Sequence, residues 1–592
     1  MSSPFFRKQV KRFLEANGLR MESLDAYYAI LDASGAILAG AGIAGDVLKC
    51  LAVSEESRSE GMLVPLVSRI LSEHPGRDLK VFTKPEYEAV FTSLGFHLIA
   101  CAPLAILLEK GRGLEQYCDY LRSQALPGRC GVVVMNANPF TLGHRYLLEQ
   151  AASQVDHLYV IPVKEDVSDF PYAERLAMIK AGAPDGTVVL DGCDYVISAA
   201  TFPTYFLKDL SSAAETQMRL DLDLYSRWIA PALGASVRFV GSEPFDALTN
   251  RYNQLISNSV EISRLGDISA SKVRRALSMG RYREAASLCP ATSHAFLLAH
   301  LATRALCLEL ETPLKPGLVC PGSNGAHKDM NYGTMLSGIR ALRPWWSRMA
   351  LASGVGELRS LGIEAEKAMM QATGGVNTHR GAIFALGLTL NAVVRDVEVL
   401  DNENNMQILL GKIAQEVFHN QLEDSALHIT PAPRGARRIA LDGYKPLFED
   451  WLPYYRTLRN GEETLPVAFA RTGSRSDAEE SVSSPWESSL TEGEMGFTFA
   501  KKMADAPENP IPPSAEQRLL LRIMSTLDDT CVIKRAGEER AQQVKKEAEA
   551  LLESISEEKL KEMCDRYAQE GISPGGAADM LALTIFIHSI LL

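Results

Sequence analysis

The chain has 592 residues, a formal net charge of −12, and 46% hydrophobic against 23% charged side chains. That balance predicts a soluble protein of three or more domains; the acid excess gives no support to a nucleic-acid partner, and no apolar run reaches membrane-span length. The ten cysteines are scattered without a C-x-x-C pair, which reads as reduced thiols in a cytoplasmic protein, and the N-terminus lacks the pattern of a secretory leader.

Residues 1–124 alternate helix and strand. Phe5 to Asn17 is an amphipathic helix candidate, and Ala26 to Leu31 with Ile37 to Ala41 flank the turn signal Asp32–Gly35, a hairpin. A strand over Asp46 to Val53 and a helix over Leu66 to Leu71 bracket Arg58-Ser-Glu-Gly-Met-Leu63. A strand, a glycine-containing loop and a helix start can hold a pyrophosphate on backbone N–H groups. The loop resembles the acyl-CoA loop of the GNAT acetyltransferases: Arg58 and Gly61 match, and Leu63 departs.

Residues 125–290 follow a βαβα pattern, which implies a parallel sheet with ligands at the carboxyl ends of its strands. The short β-branched run Val132–Met135 is a buried strand. Asn136-Ala-Asn138-Pro-Phe140 ends it, and Thr141-Leu-Gly143-His144 opens a helix. A helix start attracts phosphate, so Thr141 and His144 form a candidate nucleotide site, with Gly143 keeping bulk away and Asn138 in the approach loop. The plain alternative is an ordinary βα turn with a surface histidine. Further on, Ile268-Ser269-Ala-Ser271-Lys-Val-Arg274 opens a second helix, with Ser269 and Ser271 able to cap it and Arg274 near the same end.

The pair T-x-G-H and I-S-x-S-x-V-R resembles the nucleotidylyltransferase superfamily. NANPFTLGHRYLLEQA, SAATFPTYFLKD, IAPALGASVRFVGSEPF and TNRYNQ narrow the resemblance to the citrate lyase ligase family over about residues 1–290. It implies that acetate and ATP give an acetyl-adenylate, releasing diphosphate. The acetyl group then passes to the prosthetic-group thiol of the citrate lyase acyl carrier subunit, releasing AMP. On this reading Thr141 and His144 meet the phosphates, Arg274, Ser269 and Ser271 the departing diphosphate, and Mg²⁺ bridges phosphate oxygens. Lys164 and Lys208 are secondary candidates for neutralising charge; surface lysines are the equal alternative.

From residue 291 the texture turns helical: His294–Glu311, Met335–Ala341, Gly356–Met370, Arg380–Val394, Asn405–Phe418, Ala515–Leu527, Glu538–Ile555 and Gly576–Leu592. The loops between carry the chemistry. Ala372-Thr-Gly374-Gly375-Val-Asn377-Thr-His379-Arg380 has the glycines and polar groups that wrap phosphate. E-x5-K-P-G-L-V, N-x-G-A-H-x-D-M, T-G-G-V-N-T-H-R-G, L-D-D-T and S-P-G-G-x-A-D resemble the triphosphoribosyl-dephospho-CoA synthase family; Leu314 before Lys315 and Cys320 after Val319 depart from its pattern. The resemblance implies joining ATP, through C1′ of its ribose, to the 2′-hydroxyl of 3′-dephospho-CoA, with loss of adenine. Asp329 or Glu309 is then base or metal ligand. Lys315, His379 and Arg380 hold the triphosphate with the Gly374, Gly375 and Asn377 loop, and Asp528 and Asp529 bind Mg²⁺ alongside Asp329. Residues 471–513, rich in Ser, Glu and Pro, read as a long insert.

The expectation is therefore a multidomain chain: an α+β GNAT-like domain (1–124), an α/β Rossmann-like nucleotidylyltransferase domain (125–290) and an all-α domain (291–592). Together they would serve citrate lyase maturation. The alternatives are an adenylyltransferase of cofactor biosynthesis with a helical regulatory domain, and a non-catalytic scaffold that binds the carrier protein.

Overall fold

The computed structural model describes residues 4–58, 60–165, 168–198, 212–243, 246–423, 435–461 and 513–592. Lys208 and residues 471–512 of the expected insert lie outside these residues. The chain is mixed α/β, with sheets in its first half and a helical C-terminal region. It forms two compact units: Met1–Ala137 with Leu142–Ile268, and Asn138–Thr141 with Ser269–Leu592.

The first unit contains two sheets. One is built from β1 (Ala26–Leu31), β2 (Ile37–Ala44), β3 (Val47–Val53), β4 (Leu79–Thr83), β5 (His97–Ala102) and β6 (Ala105–Lys110), in the order β1-β2-β3-β4-β6-β5. The expected hairpin forms because the Asp32 carboxylate accepts the amides of Ser34 and Ala36, each at 2.8 Å. Only β3 and β4 pair in parallel, so the chain must cross over between them, and the Leu63–Glu73 helix makes that crossing. It buries Leu66, Val67 and Ile70 against Ile43, Leu48 and Val81.

The second sheet holds β7 (Cys130–Met135), β8 (His157–Pro162), β9 (Val188–Val189), β10 (Ala235–Gly241) and β11 (Ser259–Ile262), in the order β11-β10-β7-β8-β9, all parallel. Central β7 is covered on both faces, which its unbroken apolar run requires. Strands are added on one side of β7 through β9, and then on the other side from β10. The carboxyl end of β7 therefore lies at the point where strand order reverses, where open parallel sheets bind ligands.

The second unit is helical. His294–Glu311 packs on Tyr332–Ala350 and on Gly575–Leu591, and Arg380–Arg395 packs on both of the latter. Gly575–Leu591 is apolar around nearly its whole circumference, so it runs through the interior. Two expected helices are longer than their patterns: Tyr332–Ala350 continues past Pro344, which faces outward, to bury Trp346, and Thr530–Glu553 contains a break at Gly537. Glu557–Glu570, absent from the sequence reading, is capped by Ser556 and ends at left-handed Gly571.

Candidate active sites

In the first half, β7 delivers the chain into Asn136–Thr141 and the Leu142–Ala152 helix. Thr141 and Phe140 are buried, while Gly143 and His144, in the first turn, are half-buried. The second signature closes on this loop: Arg274 donates from Nη1 to the Asn138 carbonyl at 2.5 Å. Ser293 donates to the Phe140 carbonyl at 3.1 Å. Ser269 is the N-cap of the Ala270–Ser278 helix; its hydroxyl accepts the Lys272 amide at 3.2 Å and lies 3.0 Å from that of Ser271. Segments more than a hundred residues apart in sequence thus meet at one loop. Lys164, just past β8, pairs with Asp194 at 3.2 Å and is half solvent-exposed. Behind the loop lies a residue the sequence reading passed over, the fully buried Arg175.

In the second half, ionisable groups from distant segments converge in the interior. Lys315 and Glu309 form an ion pair at 1% and 3% exposure, and Lys315 also donates to the Glu309 carbonyl at 2.6 Å. Asp579, on the Gly575–Leu591 helix, is half-buried. Burial, with Glu309 and Asp529 nearby, holds its carboxyl well above the usual carboxylate range. Its carboxylate lies against the Gly381 Cα, where a Cβ would collide with it. The same tight approach recurs at Gly317, whose φ of +72° and contact with the Ile572 carbonyl leave no place for a side chain. His379, at 3% exposure, shares a 2.8 Å hydrogen bond with Thr378 through Nδ1, while its Nε2 has no partner. Burial and the neighbouring Lys315 lower its pKa to about 3, so the imidazole is neutral at pH 7.

The loop before the Arg380–Arg395 helix turns on left-handed Gly374 and Gly375 and is braced by Thr373, whose hydroxyl donates to the Val376 carbonyl at 2.5 Å. Asn377 accepts the Arg380 amide at 3.1 Å, and Arg380 grips Glu366 through Nε at 2.6 Å. His327 shares a 2.8 Å hydrogen bond with Ser573, and its Nδ1 lies 3.8 Å from the exposed Asp329 carboxylate.

The expected metal residues sit apart in character. Asp529 is buried and accepts the amides of Cys531 and Ala577, each at 2.8 Å, tying two helix starts together. Asp528 is exposed and pairs with Lys545 at 2.5 Å. Among the described residues no group of three His, Cys, Asp or Glu side chains is arranged to hold a metal. The donor set does not fit a cage made by the protein alone. Asp579 was outside the expected set because its partners are distant in sequence.

Comparison with known proteins divides the chain at the same place as the two sites. The model of the citrate lyase ligase C-terminal domain matches residues 130–297, and that of ATP:dephospho-CoA triphosphoribosyl transferase matches 295–472 and 481–591. A [citrate [pro-3S]-lyase] ligase of Escherichia coli (strain K12) is 38% identical over 49% of this chain and 89% of its own length. That of Klebsiella pneumoniae is 39% identical over 49% and 92%. The 2-(5''-triphosphoribosyl)-3'-dephosphocoenzyme-A synthase of Klebsiella pneumoniae is 31% identical over 51% of this chain and 96% of its own. Each relative thus accounts for about half of the chain while being covered almost end to end. Through its first half the chain belongs to the citrate lyase ligase family, and through its second half to the triphosphoribosyl-dephospho-CoA synthase family.

Proposed function

We propose that the chain is a bifunctional enzyme of citrate lyase maturation, its two halves acting on the same client at different stages. The reading rests on the near-complete coverage of two separate enzymes by one chain, and on the Arg274–Asn138 contact, which brings the arginine of the second signature to the loop that precedes the first. On this reading residues 1–124 are GNAT-like, 125–290 a Rossmann-like nucleotidylyltransferase domain, and 291–592 the synthase.

In the ligase half, an acetate oxygen attacks the α-phosphorus of ATP and diphosphate leaves. The acyl carrier thiol then takes the acetyl group and AMP is released. Chemistry of this kind asks the protein to position reactants and to balance the charge developing on the leaving oxygens. Thr141 and His144 at the helix start, with Gly143 clearing the approach, serve the phosphates. Arg274, Ser269 and Ser271 take the diphosphate, and Lys164 adds charge at the edge. His144→Ala should lower acetate-dependent diphosphate release, measured with deacetylated citrate lyase, by two orders of magnitude. Full activity in that variant rules out the role.

In the synthase half, the 2′-hydroxyl of 3′-dephospho-CoA attacks C1′ of the ATP ribose, the new C–O bond forms, and the bond to adenine N9 breaks. The hydroxyl proton passes to a carboxylate, and adenine needs a proton as it leaves. Glu309 is sealed with Lys315, which leaves exposed Asp329 as the base; Asp579, whose carboxyl burial holds well above the usual carboxylate range, is the acid. Neutral His379 acts as a hydrogen-bonding group, and the triphosphate falls to Arg380 and the amides of Gly374 and Gly375, with Asn377 shaping the loop. Mg²⁺ is assigned to the substrate triphosphate, because the Asp329, Asp528 and Asp529 side chains form no cage. The protein with Mg²⁺, ATP and 3′-dephospho-CoA should release free adenine. If folded protein releases none, the synthase assignment falls.

A further inference from the structure

Arg175 lies on the Tyr172–Gly182 helix with no exposed surface, and its guanidinium reaches into the gap between the ends of β7 and β8. Nε donates to the Phe170 carbonyl at 2.9 Å. Nη1 reaches the Asn136 carbonyl and Asn136 Oδ1, both at 2.9 Å, and the Val163 carbonyl at 2.7 Å. Nη2 donates to the Glu165 carbonyl at 2.6 Å. Asn136 is the first residue past β7, the strand that feeds the Thr141–His144 helix start. Val163 and Glu165 flank Lys164, so the guanidinium grips the main chain on either side of that lysine. Gly192 allows the packing on the outer side: a Cβ there would press on the Pro162 carbonyl and on Lys164 Cβ. Lys164 is braced in turn by Asp194.

A planar fork is suited to this arrangement. Its N–H groups point in fixed directions, so carbonyls bound together must keep one relative geometry, which a flexible ammonium does not impose. Burying a charge costs free energy, and oriented carbonyl dipoles at the ligand end of the sheet offset part of that cost here.

We propose that Arg175 is a positioning residue for acyl-adenylate formation: it locks the β7 end to the β8 end, so that the Thr141–His144 helix start and Lys164 face ATP in one frame. The proposal rests on the ligase reading above. It separates binding from rate, because nucleotide can still be held by a loosened frame while the reacting atoms lose their alignment.

The test uses the full chain, assayed for acetate-dependent diphosphate release with deacetylated citrate lyase and, in parallel, for adenine release by the other half. Arg175→Lys should lower kcat for diphosphate release about 100-fold, leave KM for ATP within about threefold, and leave adenine release unchanged, an offset typical of misplaced reactants. An Arg175→Lys protein with wild-type kcat, or one whose loss appears wholly in KM, overturns the proposal. Where that variant does not fold, Asn136→Ala decides, since it removes one acceptor of the fork: about a tenfold loss in kcat supports the role, and an unchanged kcat overturns it. Wild-type protein with no acetate-dependent diphosphate release overturns the ligase reading itself, and the positioning role with it.

Discussion

Arg175 in the first unit and Lys315 in the second are both buried cations, but they are held differently. Arg175 is gripped by main-chain carbonyls at the ends of two parallel strands. Lys315 is paired with a carboxylate in a helical interior that also contains Asp579, Asp529 and His379. Carbonyl dipoles do not titrate, and those of Asn136 and Val163 follow directly on β7 and β8, so these contacts tie the two strand ends together. In the second unit, burial and the nearby carboxylates raise the Asp579 carboxyl, while burial and Lys315 lower the His379 imidazole, so charge there depends on neighbouring side chains. The contrast suits the proposed chemistry, since adenylation asks chiefly for alignment, whereas displacement of adenine asks for protons.

The sharpest way to break the contrast is to unpair Lys315. Lys315→Met should destabilise the helical half by about 3–5 kcal/mol, because Glu309 is left buried without a counter-charge, and should abolish adenine release. Denaturant unfolding measures the first and an adenine assay the second. The double variant with Glu309→Leu should regain most of the stability; recovery of adenine release with it makes the pair structural, and continued inactivity makes the pair part of what sets the charge of Asp579 and His379.

The next effect is a pH dependence. His379 is neutral when folded, with a pKa near 3, against an ordinary value of 6.5. As pH falls below about 6.5 the unfolded chain takes up a proton that the folded chain does not, so stability is lost progressively until about pH 3. Between pH 7.5 and pH 5 this one group should account for about 2 kcal/mol. His379→Gln should flatten the unfolding profile by that amount, over a background of the same sign from His300 and His588. An equal slope in wild type and variant would show that the imidazole is not held neutral.

Arg274→Lys probes the sheet-built half. Losing the fork that reaches the Asn138 carbonyl should slow diphosphate release by about 10- to 100-fold, with adenine release as the internal control. The smallest effect is expected at Asp528, whose ion pair with Lys545 is mostly exposed. Asp528→Asn should cost less than about 1 kcal/mol. A large loss of adenine release without a loss of stability would instead make Asp528 part of the chemistry.

In the first half the strand, the breaker and the helix start at Leu142 were legible in the sequence because they follow one another, and Ser269 caps the second helix as its residue type predicts. Period and capping are local physics, which one chain segment displays by itself. Arg175 was not legible. An arginine in a helix of mixed polar and apolar residues reads as a surface charge until the carbonyls it binds are known. The helical half shows the same limit more strongly. Its loops stood out by their glycines, yet Asp579, Glu309, Lys315 and His379 come from segments whose convergence no periodicity encodes. Helix ends were missed where proline or glycine usually terminates: Pro344 points outward within a continuing helix, and Gly537 breaks one that resumes. The Glu557–Glu570 helix had its start and stop signals in Ser556 and Gly571, but its strongly charged sequence masks the apolar stripe formed by Leu560, Met563 and Tyr567.

The approach of Asp579 to Gly381 and Glu309 also bears on how the protein is made. A ribosome delivers the first unit's sheets, and the helix carrying Glu309, long before it delivers Asp579. The six-stranded sheet can settle as it emerges, because all its strands lie between Ala26 and Lys110. The synthase interior has to wait with Glu309 and Lys315 already synthesised and its central helix missing. Until Gly575–Leu591 is made, His294–Glu311 and Arg380–Arg395 lack the helix that packs on both of them, so the interior of the second half closes last.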